Sequence, residues 1–281
     1  MREVHVDAIR DKLAELCIEA THVLPEDVRQ GLRDAEAIER APLAKQVLIE
    51  LMDNFDLAER NMVPLCQDTG TTVVFVELGQ DCHIIGGNLE EAIHAGVGKG
   101  YTEGFMRASM VAHPFSSRLN TGNNTPAVIH WDIVPGENIH LKVLPKGGGC
   151  ENMSRYANFL PRAGKDAVIE FMLRTVEESG GNPCPPLIIG VGIGGTSEYA
   201  MGLAKKAVTR GVGTHSDDAE TAELEAEMLE KVNALGIGAQ AVGGVTTALA
   251  VHVLTHPTHI TALPVGINIQ CHSARLKEAI L

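Results

Sequence analysis

The chain has no block rich in lysine or arginine. Its 281 residues carry a formal charge of −13, and the 23 basic side chains are scattered. Phosphate contacts need a basic surface, so nucleic-acid binding is excluded as the main function. No apolar run reaches the length that spans a bilayer. The first residues, MREVHVD, mix charges early and lack the apolar core of a signal peptide, which makes the cytoplasm the expected location. There is no CxxC pair among the six cysteines, at 17, 66, 82, 150, 184 and 271. A reducing cytosol disfavours structural disulfides, so these are thiols or metal ligands. Aromatic residues are few, at 4%, whereas glycine is frequent, and glycine in runs brings backbone close to something.

What is present points to a mixed α/β (α+β) chain. Residues 6–60 read as helical, with Ile9, Leu13, Leu16, Cys17 and Ala20 on one face. This helical N-terminal segment, 1–60, is expected to precede an α/β catalytic domain over 61–281, the two forming one continuous domain. Residues 71–78 (TTVVFVEL) read as a strand. Asn88 followed by Glu91 resembles a capping box opening a helix towards Val111, which four glycines weaken. Residues 127–134 and 138–144 read as strands joined through a turn at Pro135-Gly136-Glu137. Further helices are expected at 165–179, 197–209 and 218–235, the last with Leu224, Met228, Leu229, Val232 and Leu235 on one face and solvated glutamates on the other. Strands are expected at 187–193 and 260–269.

Three cysteines lie in loops beside strands: Cys66 in PLCQDTG, Cys184 in GGNPCPP and Cys271 in NIQCHS. Pro183 and Pro185 fix the backbone around Cys184. Cys17, by contrast, sits in an apolar helical face, as structural cysteines do, and Cys82 lies in a turn-like QDCH. Three thiolates on a four-iron cluster would leave one iron open to act as a Lewis acid. Residue spacing alone favours the plainer reading, three reduced loop thiols.

The surrounding segments change that balance. PLCQDTG at 64–70, NTGNNTPAVIH at 120–130, KGGGCEN at 146–152, CPPLIIGVGIGGT at 184–196 and HITALPVGINIQCH at 259–272 resemble, in order, the signature segments of the α-type catalytic domain of class I fumarases and L-tartrate dehydratases. The resemblance covers nearly the whole chain. It implies a hydro-lyase with an oxygen-sensitive [4Fe–4S] cluster held by Cys66, Cys184 and Cys271. It further implies substrate contacts from Gln67, Arg107 and the backbone of Gly148, and catalytic roles for Asp68 and for His259, near the substrate hydroxyl. Fumarate hydration to malate is the expected reaction, and L-tartrate dehydration is the alternative. In the family an accompanying β part, fused or separate, supplies more cations, so a separate β subunit and a heteromer built from αβ pairs are expected. One position departs from the family, whose glycine run usually ends in serine where Cys150 stands here. A thiol is larger and a weaker donor.

Each residue also has a plainer reading. Asp68 could simply close an Asx-turn, Arg107 could be a surface charge, and His259 could be one ordinary histidine among 12. Two other functions compete. Gly190, Gly192 and Gly195 satisfy GxGxxG after an apolar strand, and Asp217 follows at about the spacing of a ribose-binding acid, as in an NAD-dependent oxidoreductase. A zinc-binding structural subunit using Cys and His is the third class.

Overall fold

A computed structural model describes residues 2–281 and shows the mixed α+β chain expected. It divides into two compact units, each assembled from separate stretches: residues 1–25, 55–148 and 275–281 in the first, 26–54 and 149–274 in the second.

The first unit is built on a four-stranded mixed sheet. Its strand β2 (Thr71–Gly79) is central, parallel to β4 (Val128–Val134) on one side and antiparallel to β5 (Ile139–Lys146) on the other, with β10 (Lys277–Ile280) beyond β5. The turn at Pro135-Gly136-Glu137 therefore does not close a hairpin, because its two strands flank β2 instead of pairing. A smaller parallel pair, β1 (Arg2–His5) and β3 (Cys82–Ile85), was not legible as strands, and β3 begins at Cys82.

Against this unit's core lies α1 (Val6–His22), opened by the His5 side chain accepting from Asp7 N–H. Its Ile9, Leu13, Leu16 and Cys17 pack with Val74, Val76, Leu141 and Val143. Helix α4 (Leu89–Glu103) starts as the capping box predicts, Asn88 Oδ1 accepting Glu91 N–H at 3.1 Å. It ends at Glu103, well short of Val111. Its glycines are contact points rather than defects. A Cβ at Gly96 would meet Arg10 O at 2.5 Å, and one at Gly100 would meet Ala14 O at 2.8 Å, so the two helices touch backbone to backbone.

The second unit carries the sheet order β6 (Arg155–Phe159), β9 (Leu263–Gln270), β7 (Leu187–Gly195), β8 (Ala248–Thr258), in which β7 and β8 are parallel and β9 runs antiparallel to β7 and β6. Along β7, Leu187, Ile189 and Val191 alternate into a core shared with Val168, Met172 and Val176 of α6 (Gly164–Ser179) and Met228 and Val232 of α8 (Ala219–Ala234). On its other face, Gly190 and Gly192 lie beneath α7 (Ser197–Ala207), where added Cβ atoms would fall 2.1 and 2.0 Å from Ala204 O and Ala200 O. These two glycines therefore sit inside a strand and admit a helix. A phosphate cradle needs them in the turn after the strand, and Asp217 lies in a bend before α8 rather than at a strand end. The dinucleotide motif is formal only.

Two features of this unit escaped the sequence pattern. Strand β8 holds His252, Thr255, His256 and Pro257, which hide its period. Within α8, one glutamate is not solvated: Glu225 is 2% exposed, ion-paired with Arg210 at 2.5 Å and accepting Val253 N–H. Beside them His252 is 1% exposed, and neither ring nitrogen has a hydrogen-bond partner.

Burial, reinforced by Arg210 and His215 and opposed by Glu225 and Asp27, pushes the His252 imidazole down from 6.5 to about 4. The folded state thus prefers neutral histidine. Its stability is complete above pH 6.5 and falls as the pH drops towards about 4, because the unfolded chain takes up the proton first. A displacement of that size is worth roughly 3 kcal/mol. Urea unfolding at pH 7 and pH 4.5 should show the loss, and His252→Phe should remove most of it. An unchanged pH dependence in that variant would contradict the assignment.

Candidate active site

In the first unit, the residues singled out around Cys66 are joined by one set of hydrogen bonds. Leu65 N–H donates to Thr21 O at 2.8 Å, fixing the start of the loop, and Cys66 and Gln67 follow it, both exposed. Asp68 is half-buried. Its Oδ1 accepts Gly70 N–H at 3.0 Å, the Asx-turn, and its Oδ2 accepts Gly148 N–H at 2.8 Å. The two readings of Asp68 are therefore not exclusive, since one oxygen closes the turn and the other reaches 80 residues along the chain. Gly148 N–H is already engaged by this carboxylate, so in this state it orients Asp68 rather than standing free for a substrate.

The rest of the loop is held from behind. Thr69 Oγ1 donates to Arg107 O at 2.6 Å, and Tyr101 OH donates to Thr69 O at 2.7 Å. Asn124, fully buried in the NTGNNTP segment, donates to Gly70 O at 3.0 Å and accepts Ser109 N–H at 2.7 Å. Arg275 donates to Asp68 O at 2.5 Å. The outcome is that Cys66, Gln67, Asp68, Arg107 and Gly148 are brought onto one bonded frame. The Arg107 side chain is exposed, and among the described residues its guanidinium makes no ion pair. An exposed, unpaired planar cation can take a carboxylate in two-pronged fashion.

In the second unit, Cys184 and Cys271 come to the same end of the sheet, because Ile188 at the start of β7 faces Gln270 at the end of β9. The loops touch: His272 N–H donates to Cys184 O at 3.3 Å. Cys184 has a φ of +56°, a left-handed conformation that costs a non-glycine residue about 1–2 kcal/mol. Pro183 and Pro185 on either side hold it there. Cys150 is buried and donates its thiol to Gln270 Oε1 at 3.6 Å. The unusual thiol thus serves the residue that precedes Cys271.

No cysteine among the described residues is in a disulfide, and no group of three or more His, Cys, Asp or Glu side chains is gathered as a metal site. The donor chemistry still suits an iron–sulfur group. Cys66 is exposed and Cys184 and Cys271 are half-buried, so all three thiols are accessible on loops.

His259 stands elsewhere. It is exposed in the turn after β8, with Nδ1 2.8 Å from Thr261 Oγ1. Gly195 faces Thr258 while Ile188 faces Gln270, so seven residues of β7 separate His259 from the cysteine end of the sheet, roughly 23 Å at about 3.3 Å per residue. There it borders a cleft of about 380 Å³ lined by Pro161, Ile193, Leu224, Ile260 and Leu263. The structure does not bring His259 to Cys184 and Cys271. Sequence reasoning missed Tyr101, Asn124, Gln270 and Arg275. The last two lie within four positions of Cys271, the one signal that pointed to them.

Comparison with known proteins gives the family. A family model described as fumarate hydratase (Fumerase) matches residues 10–280. A Methanocaldococcus jannaschii protein named "Putative L(+)-tartrate dehydratase subunit alpha" is 41% identical over 95% of either chain. The L(+)-tartrate dehydratase subunit alpha of Escherichia coli K12 is 29% identical over 98% of this chain and 92% of its own length, as is that of Shigella sonnei. No helix among the described residues is long and apolar enough to cross a membrane.

Proposed function

Because the chain belongs to the fumarate hydratase family, matching its model from residue 10 to residue 280, we propose that it is the α subunit of an iron–sulfur hydro-lyase that hydrates fumarate to malate reversibly. The observation that carries this reading is the frame joining the Cys66 loop, Asp68, Arg107 and Gly148. Cys66, Cys184 and Cys271 are the ligands in this reading. When bound, a [4Fe–4S] cluster on three thiolates supplies an open iron that acts as a Lewis acid towards a hydroxyl oxygen.

The remaining work falls to the chain's own groups. Arg107 grips one substrate carboxylate. Asp68, already oriented by the Gly70 and Gly148 amides, exchanges the hydroxyl proton through an oxygen. Gln67, exposed beside it, is a further substrate contact. When substrate displaces the Asp68 oxygen from Gly148 N–H, that amide becomes a donor for developing carboxylate charge. His259, expected near the substrate hydroxyl, stands apart from Cys184 and Cys271 within its own unit. The base that removes the carbon-bound proton belongs, in this reading, to a β subunit, in a complex of αβ pairs.

A second reading, L-tartrate dehydration, is favoured by the names of the relatives. The two substrates differ by one hydroxyl. Anaerobic co-expression with a β subunit, followed by kcat/KM on malate and on L-tartrate, decides between them. Activity on neither would overturn the hydro-lyase assignment.

Arg107 is open to a direct check in the same complex. Arg107→Lys keeps the charge and loses the fork. One charge-assisted bond is worth about 1.5–3 kcal/mol, so KM is expected to rise roughly 10- to 100-fold, with iron content unchanged. An unaltered KM would place Arg107 outside the substrate site.

A further inference from the structure

The least compensated charge in the first unit is Arg275. It is 1% exposed and is the largest of the fully buried side chains. A guanidinium stays protonated at any physiological pH. Yet its one hydrogen bond is from Nη1 to Asp68 O at 2.5 Å, its Nε has no partner, and it forms no ion pair among the described residues. The Asp68 carboxylate accepts from the amides of Gly70 and Gly148 and forms no ion pair with Arg275. The Tyr101 hydroxyl, its phenolic neighbour, is itself held neutral, since burial pushes its pKa up above the ordinary range. A buried charge with no counter-charge is costly, and native structures keep one where something else neutralises it.

The position says what that something is. Arg275 binds the backbone two residues after Cys66 and lies four residues after Cys271. It is thus tied to two of the three proposed ligand loops, one by a hydrogen bond and one by the chain. It is sealed from solvent, unlike Arg107, which is exposed as a substrate-binding cation must be. We propose that Arg275 is the counter-charge of the thiolate-bound iron–sulfur group, positioning the Cys66 loop through the Asp68 carbonyl and offsetting the group's negative charge. This rests on the assignment of Cys66 and Cys271 as ligands.

The proposal makes opposite demands on the two forms of the protein. Without the cluster, Arg275 is a buried charge with no ion pair, and replacing such a charge by an apolar side chain of similar length is neutral or stabilising. Arg275→Met should then leave the Tm of the apo chain unchanged or raise it. With the cluster, the same change removes an attractive charge. Iron loss to a chelator should speed up about tenfold, the factor expected for one charge-assisted contact. The reduction potential should become more negative, since the more negative reduced cluster is no longer favoured. Arg275→Lys should bring the potential part of the way back.

The experiment uses the full chain, apo and anaerobically reconstituted, for wild type and both variants. It reads the Tm, the iron-release rate and the potential from an EPR-monitored titration. A lower apo Tm in Arg275→Met, with iron release and potential unchanged, would make Arg275 a clamp for the fold and overturn the proposal. If Arg275→Met fails to fold, Arg275→Lys carries the test: faster iron release and a potential more negative than wild type at an unchanged apo Tm support a counter-charge, and a lower apo Tm with wild-type release rate and potential overturns it. Wild-type protein that takes up no iron would instead overturn the ligand assignment beneath it.

Discussion

Serine at position 66, 184 or 271 is expected to leave anaerobically purified protein with no iron above background, against about four irons per chain in the wild type. Serine at 17, 82 or 150 should leave the iron in place. The two groups differ by environment. A ligand must be a thiolate on a backbone that can present it. Cys66 is exposed, and Cys184 and Cys271 are half-buried in loops that touch. Cys17 is fully buried inside α1, and burial pushes its thiol up to about 12, so no thiolate is available there at neutral pH. Burial also raises Cys82, at the start of β3.

Cys150 is the informative control. It is a fourth thiol, but its hydrogen is donated to Gln270 Oε1, and a serine hydroxyl can make the same bond. Iron and sulfide assays, with circular dichroism to show that each variant folds, read the outcome. Retention of iron by Cys184→Ser together with its loss in Cys150→Ser would exchange the roles of those two residues. Stoichiometric zinc in place of iron would remove the hydro-lyase chemistry altogether.

The three cysteine loops stand out in the sequence by their neighbours (Gln-Asp, flanking prolines, the end of an apolar strand), and the family resemblance is what marks them as ligands. Asp68 was legible for the same reason. What held it was not. Arg275 is 207 residues from Asp68, and Tyr101 is 32 from Thr69. Their roles come from tertiary contacts, and nothing in a run of sequence marks a buried arginine as different from a surface one. Periodicity failed where polar side chains are buried, as at His252 in β8 and Glu225 in α8. It also misjudged glycine. The glycines of α4 look like helix breakers, and Gly190 and Gly192 look like a phosphate loop, yet Gly96 and Gly100 in the one and both glycines in the other let backbones approach. His259 shows the converse, a residue bright in the motif that the strand register carries to the far end of its sheet.

The isolated chain, with its cluster intact, is expected to hydrate fumarate at less than about one-thousandth of the kcat/KM of its complex with a β subunit. The reason is charge. Fumarate is a dianion, and each carboxylate in a partly dry site needs a cationic or multiply bonded partner. Among the residues that the first unit offers near the Cys66 loop, Arg107 is the exposed cation without an ion pair. Arg275 is sealed at 1% exposure, and so is Lys146. Arg118 is exposed, but its guanidinium is turned back onto Pro114 O of its own loop. Within the first unit one carboxylate thus has an exposed cationic partner and the other has none, in a protein whose formal charge is already −13. Two missing charge-assisted contacts at about 1.5–3 kcal/mol each correspond to a factor of roughly 10²–10⁴ in kcat/KM. The base for the carbon-bound proton, which the proposed reading assigns to the β subunit, is then lost as well and lowers the rate further. Titrating the β subunit into the iron-loaded chain under anaerobic conditions should therefore raise activity until the partners are equimolar, with iron per α chain constant throughout. Full-rate hydration by the α chain alone would locate both carboxylate partners and the proton base on this chain, and would remove the need for a second subunit.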